Sequence, residues 1–211
     1  MGTRCFLVHP IAKRRQWLRR FTFSSEVNVC PASKWGHDAS AQIEDASVPV
    51  PASGEFETGS RWQDLTTKAD ARWPLKCDRC DYHFRDEDEW QLFSWRVYAD
   101  DGGKEHVPHP SYATPGMMWW VDWLHHGGGC IYWDNCTTPH LYVVLPNGHE
   151  WDVMSRASNC TMKDDRLHRC WVLAGTAPNF SVGKSGRTCA AGAGSIASGN
   201  YHGFLRNGEL T

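Results

Sequence analysis

Cys77 and Cys80 stand in the run Trp73-Pro74-Leu75-Lys76-Cys77-Asp78-Arg79-Cys80-Asp81-Tyr82-His83-Phe84. A C-x-x-C spacing lets one tight turn aim two thiolates and its own backbone N–H groups at a single ion. Trp73, Tyr82 and Phe84 would brace a knuckle too small to hold a core of its own. The other half of the site is expected from Cys30-Pro31-Ala32-Ser33-Lys34-Trp35-Gly36-His37, where Pro31 and Gly36 are turn formers. Cys30, His37, Cys77 and Cys80 then make a closed Cys₃His zinc site. Four protein ligands leave no open position, so this zinc is structural and does no catalysis. The plainer reading makes Cys77 and Cys80 ordinary buried thiols.

A second concentration of donors runs from Ser155 to Trp171 and holds Cys160, Asp164, Asp165, His168 and Cys170. Three readings compete. One is a polar turn, Asn159 to Arg169, whose thiols lie close and can pair. Another is a second metal site of Cys160, His168, Cys170 and Cys189. The third is catalysis, with Cys160 or Ser158 as nucleophile and His168 as base. That chemistry needs the base within hydrogen-bond reach, which spacing does not show.

Thr188-Cys189-Ala190-Ala191-Gly192-Ala193-Gly194-Ser195 precedes Tyr201-His202-Gly203-Phe204-Leu205. A Gly-rich loop can bring backbone N–H groups to an anion. This one lacks the Gly-Lys-Ser/Thr ending of a P-loop, which argues against a nucleotide. Close backbone packing, or an extended segment lying along another chain, is expected instead. Cys189 with His202 is a further thiol–imidazole candidate. Cys130 and Cys136 with His125 and His126 offer metal or disulfide chemistry, but Gly127, Gly128 and Gly129 favour a plain loop.

These residues need elements to position them. Cys5-Phe6-Leu7-Val8 reads as a short buried strand. From Ile11 to Phe23, Ile11, Trp17, Leu18 and Phe21 fall near helical spacing, and the other face carries Lys13, Arg14, Arg15, Arg19 and Arg20. That face is either a solvated helix surface or a patch for phosphate or a partner. Residues 38–71 are polar and weakly patterned, a long surface excursion that a metal at its ends would pin. Asp86-Glu87-Asp88-Glu89 suits a helix or turn start. Trp90 to Tyr98 is strand-like, with Asp101-Gly102-Gly103 as its turn. Met117 to Leu124 is apolar and short, strand or buried helix. Leu141 to Leu145 and Glu150 to Met154 flank Asn147-Gly148, a strong hairpin signal. Arg169 to Leu173 and Asn179 to Val182 read as further strands.

Length and composition bound the rest. At 211 residues the chain is long enough for one domain with a buried core. A net charge of −2 supplies no global field for nucleic acid. Twelve Trp residues suit a core or a partner-binding surface. No run of 18 apolar residues exists, so no membrane-spanning helix is expected. The N-terminus does not read as a secretory signal, and nine Cys is an odd number, so reduced thiols and metal ligands are expected over a disulfide framework.

Several strings resemble a family of hypothetical proteins from tailed phages and prophages. They are Arg72-Trp73-Pro74 with the knuckle, Asp86 to Phe93, Ser155 to Thr161, His168 to Val172, Cys189 to Ile196 and Tyr201 to Leu205. Residues 99–150 match poorly. The resemblance implies a phage origin and no particular activity.

The fold expected from the sequence is α+β: a strand-rich single domain with a zinc-knuckle or zinc-ribbon-like element. Residues 1–98 form an N-terminal portion with the knuckle, a basic helix and a long loop. Residues 99–211 form a β-rich portion with a Gly-rich tail, the two making one compact domain. The expected function is a phage structural or accessory protein, stabilised by structural zinc, that contacts other virion proteins or a host protein. It would sit in the virion or the host cytoplasm. One rival is a small Cys/His or zinc hydrolase built on Cys160, Asp165, His168, Cys170, Cys189 and His202. Another is a nucleic-acid-binding accessory protein using Lys13 to Arg20.

Overall fold

A computed structural model describes residues 2–21, 40–50, 60–65, 75–78, 80–83, 89–108, 112–121, 139–157, 159–162, 164, 165, 168, 170–183, 189 and 194–211. Among them there is no helix, so the described fold is all-β and the α+β expectation is corrected. The strands in chain order begin with β1 (Thr3–Arg4), β2 (Phe6–Leu7), β3 (His9–Phe21), β4 (Ser40–Ser47) and β5 (Ser60–Leu65). Then come β6 (Glu89–Ala99), β7 (Glu105–His106), β8 (Met117–Val121), β9 (His140–Val144) and β10 (Glu150–Asp152). The series ends with β11 (Val172–Thr176), β12 (Asn179–Gly183), β13 (Ile196–Ser198), β14 (Tyr201–Gly203), β15 (Leu205–Arg206) and β16 (Glu209–Leu210).

The expected basic helix is strand β3, central in a sheet of order β4-β3-β6-β5. Irregularities in its ladders explain why its spacing looked helical. Its register shifts against β4 between Gln16 and Trp17, and against β6 between Pro10 and Arg14. Each shift breaks the alternation of faces that would have marked a strand. The Arg96 guanidinium donates to the Ile11 carbonyl at 3.0 Å, satisfying an acceptor within the second irregularity.

The basic residues do not share one face. Arg14 is buried and donates to the Ser94 carbonyl at 2.9 Å and to its Oγ at 3.0 Å. Lys13 and Arg15 reach Asp45 and Glu105, with Lys13 Nζ 2.6 Å from Glu105 and Arg15 Nε 2.9 Å from Asp45. The side chains of Arg19 and Arg20 lie outside the described residues.

The expected excursion over 38–71 contains two strands of this same sheet, β4 and β5. Val48, Pro49 and Val50 lie outside any strand, as two prolines without ladder donors require. The Gly-rich tail was expected either to pack its backbone closely or to lie along another chain. In its described part β13 pairs with β14, and beyond it β16 pairs with β15 and with β1.

The largest core lies in the C-terminal half and takes Cys5 from the N-terminus. It joins Cys5, Met118, Leu141, Val143, Trp151, Phe180, Val182 and Leu205, among others. Burying such side chains contributes roughly 1.5–3 kcal/mol each. The sheet β10-β9-β8-β2 forms one of its walls. Its β9–β10 hairpin turns at Asn147-Gly148, where Gly148 takes a φ of 83° that a side chain would strain. At Gly116 a Cβ would collide with the Arg4 carbonyl, so a bare backbone is needed where the N-terminal strands cross. Among the described residues no helix is long and apolar enough to cross a membrane.

Candidate metal centre

Cys160, His168, Cys170 and Cys189 converge behind this core. One donor atom from each lies within 4.8 Å of every other. The Cys170 Sγ is 3.6 Å from the His168 Nε2 and 3.8 Å from the Cys189 Sγ. All four are buried, at 3, 7, 1 and 7% exposure respectively.

Local turns aim these donors. After β10 the chain closes a turn in which the Cys160 N–H donates to the Ala157 carbonyl at 3.0 Å. Two more turns follow, Asp165 N–H to Met162 at 3.3 Å and His168 N–H to Asp165 at 3.2 Å. The Arg156 guanidinium clamps both, donating to the carbonyls of Met162 and Asp165. A packed anchor sits beneath. The Trp171 Nε1 donates to the Ser155 carbonyl at 2.9 Å, and its ring meets Trp151 edge-on at 5.8 Å. Ala157 and Trp171 pack against the three thiols.

The electrostatics suit a cation. The Cys170 thiol is pushed up to about 11, chiefly by burial and in smaller part by the neighbouring Cys160 and Cys189 thiols, against a lowering backbone bond from Ala157. A thiolate at Cys170 is therefore disfavoured unless a positive charge stands beside it. A bound dication reverses that balance and deprotonates coordinating thiols. The Met162 N–H already points at the Cys160 Sγ, 3.4 Å away, a donor suited to a thiolate. Sulfur and imidazole donors select a borderline-soft ion rather than a hard one. The cluster can therefore hold a metal ion.

The same burial disfavours nucleophilic catalysis. A reactive Cys needs a lowered pKa and access to substrate. Cys170 has its pKa raised, and Cys160 and Cys189 are enclosed beside it. Ser158 lies outside the described residues. His202 does not pair with Cys189; its Nε2 sits 3.0 Å from the Ser195 Oγ on an exposed surface.

Of the expected knuckle site, Cys30 and His37 lie outside the described residues. Cys77 and Cys80 sit on a small hairpin closed by a Lys76–His83 bridge, with the Cys77 N–H donating to the Tyr82 carbonyl at 2.9 Å. Both thiols pack with Tyr82. His125, His126, Cys130 and Cys136 also lie outside the described residues.

Sequence reasoning named all four donors of the cluster but not their supports, Arg156, Met162 and Trp171. It also passed over a buried pair, His140 Nδ1 and Asp152 Oδ2 at 2.7 Å, whose partners are 12 residues apart across the β9–β10 hairpin. The Met154 N–H, 2.8 Å from Asp152 Oδ1, fixes that carboxylate. The hairpin signal could have found this pair, because it sets the two strands side by side.

Comparison of the chain with protein-family models, curated proteins and solved structures finds no match.

Proposed function

We propose that the chain is a zinc-stabilised β-protein of a tailed phage that works by contact with other proteins, in the virion or in the host cytoplasm. Cys160, His168, Cys170 and Cys189 would hold the zinc. The observation that carries the zinc assignment is the spacing of two donor pairs within a set that lies within 4.8 Å. Two Zn–S bonds of about 2.3 Å at the tetrahedral angle set their sulfurs about 3.8 Å apart. A Zn–S and a Zn–N bond of about 2.0–2.1 Å set sulfur and nitrogen about 3.6 Å apart. The Cys170–Cys189 and Cys170–His168 separations are 3.8 and 3.6 Å.

With four protein donors the ion has no open position, so it stabilises the fold and activates no water. Its position explains what it stabilises. Cys160 follows β10, Cys170 precedes β11, and Cys189 lies between β12 and β13. One ion thus pins two connections, β10–β11 and β12–β13, that would otherwise rest on turns. The resemblance to phage proteins supplies the origin, and the Trp-rich composition supports contact as the mode of action. The Cys77–Cys80 hairpin, completed by Cys30 and His37, would hold a second ion.

The test is metal analysis of the purified full chain and of Cys170→Ser. Loss of one zinc equivalent in the variant is expected. A full chain without zinc, or a variant that keeps the full complement, overturns the assignment.

A further inference from the structure

Beside the metal cluster, the outer face of the β11–β12 hairpin meets β15 in a groove of about 400 Å³. Val172, Ala174, Ser181, Gly183, Phe204 and Arg206 line it. Across the hairpin Val172 stands opposite Gly183, and Ala174 opposite Ser181. Ala174, Ser181 and Gly183 are small enough to leave open floor between the larger Val172 and Phe204. Phe204 and Arg206 flank Leu205, which is fully buried, so they share the opposite, outward face. The Asn207 N–H donates to the Ser181 Oγ at 2.8 Å and the Gly208 N–H to the Phe180 carbonyl at 2.9 Å, locking β12 to the β15–β16 turn. The groove is therefore bounded by strands.

Arg206 gives it a chemical preference. Its guanidinium lies over the Phe204 ring, 4.8 Å from the centroid. Among the described residues no carboxylate lies within ion-pair distance of it. It is also the one charged residue among those described as lining the groove. A guanidinium held against a ring keeps its planar fork oriented, ready to take a carboxylate through two parallel bonds. The volume falls near the small end of ligand pockets, about 300–1,000 Å³, enough for one or two side chains rather than a cofactor.

We propose that this groove docks a segment of a partner protein that lays an aromatic or branched aliphatic side chain on the small-residue floor and sets a carboxylate against Arg206. The proposal rests on the reading that the protein works by contact, and it names the chemistry of the contact. Buried apolar anchors beside an arginine are the usual energetic centre of such interfaces. Cys170 and Trp171 immediately precede Val172, so the metal centre fixes one wall of the groove.

The test uses three probes on zinc-loaded full chain whose metal content has been measured. They are acetyl-Ala-Phe-Glu-Ala-amide, acetyl-Ala-Ala-Phe with a free carboxyl end, and the uncharged acetyl-Ala-Phe-Gln-Ala-amide. The readout is the backbone amide resonances of Val172, Ala174, Gly183 and Arg206. At least one carboxylate probe should give saturable shifts in the range of about 1 mM, as a single-pocket contact implies, and the uncharged probe should bind at least tenfold more weakly. Whichever carboxylate probe binds tells an internal acidic residue from a chain end. Arg206→Gln should erase the difference between charged and uncharged probes. Ala174→Leu, which fills the floor, should weaken all three about tenfold. Absent shifts, equal binding of the uncharged probe, or indifference to both substitutions overturns the proposal. Shifts produced by raising protein concentration alone would assign the groove to a second copy and also overturn it. A negative result on zinc-loaded protein sinks the groove and leaves the metal centre standing; protein without zinc fails the earlier reading instead.

Discussion

The Cys189 Sγ lies 3.8 Å from the Cys170 Sγ, although 19 residues separate them in the chain. The hairpin β11–β12 fills most of that interval. The two thiols therefore close a loop around a folded unit, and an ion between them would hold both ends of that unit at once. Closing the loop has an entropic cost that grows slowly with its length, and metal binding can offset it.

Cys189→Ser removes one end of this closure. It should lose a zinc equivalent and lower the melting temperature by about 6–12 °C, as a loss of about 3 kcal/mol implies for a chain of this size. Amide exchange should quicken first in β11 and β12. Calorimetry and exchange on the variant check this; an unchanged melting temperature would mean that the cluster carries no stabilising ion.

Glu150 supplies a pH dependence unrelated to the metal. Burial on β10 pushes its carboxyl from 4.5 up to about 7. The fold thus favours the protonated form. Its contribution is fully present below about pH 4.5, the unfolded value, and is lost as the pH rises through about 7. Glu150→Gln should therefore stabilise the protein at pH 8 by on the order of 1–2 kcal/mol, about 2–8 °C, and change little at pH 4. Thermal melts at the two pH values test the sign; equal shifts at both would contradict it.

Lys13 and Arg15 are engaged with Asp45 and Glu105 on the surface of the five-stranded sheet. Paired cations release few counterions from a polyanion. Arg15→Gln should leave retention on a DNA column unchanged at every salt concentration. A marked loss would restore the nucleic-acid reading.

The Cys77–Cys80 hairpin has exposed residues at Leu75, Lys76, Asp78, Asp81 and His83, and buried ones only at Cys77 and Tyr82 among those described. So small an apolar cluster stabilises little by itself. The full chain should bind two zinc equivalents, and the double substitution Cys77→Ser with Cys80→Ser should bind one. Two equivalents in the double variant would show that the hairpin holds no ion.

How much of this was legible depends on the range of each interaction. Asn147-Gly148 between apolar runs marks its hairpin locally, because the turn demands a positive φ and the flanking strands follow. The aromatic-rich run from Trp90 to Tyr98, followed by the turn formers Asp101-Gly102-Gly103, is legible from a similarly local signal. Strand β3 is not, because ladder irregularities break its alternation and its partner β4 is itself polar. Nor does sequence show which donors meet. Cys160, His168 and Cys170 are near neighbours, but Cys189 joins them only because β11 and β12 turn the chain back. The His140–Asp152 pair likewise exists through register across a hairpin. The N-terminal strand β1 finds β16 at the other end of the chain, a pairing that no local pattern encodes.

X-ray absorption at the zinc edge of the Cys77→Ser, Cys80→Ser variant tests the central claim most directly, because it isolates the ion assigned to Cys160, His168, Cys170 and Cys189. The expected spectrum shows three sulfur neighbours at about 2.3 Å and one nitrogen at about 2.0–2.1 Å, with no bound water. A variant that holds no zinc, or whose zinc carries oxygen neighbours at an open position, would contradict a closed structural centre.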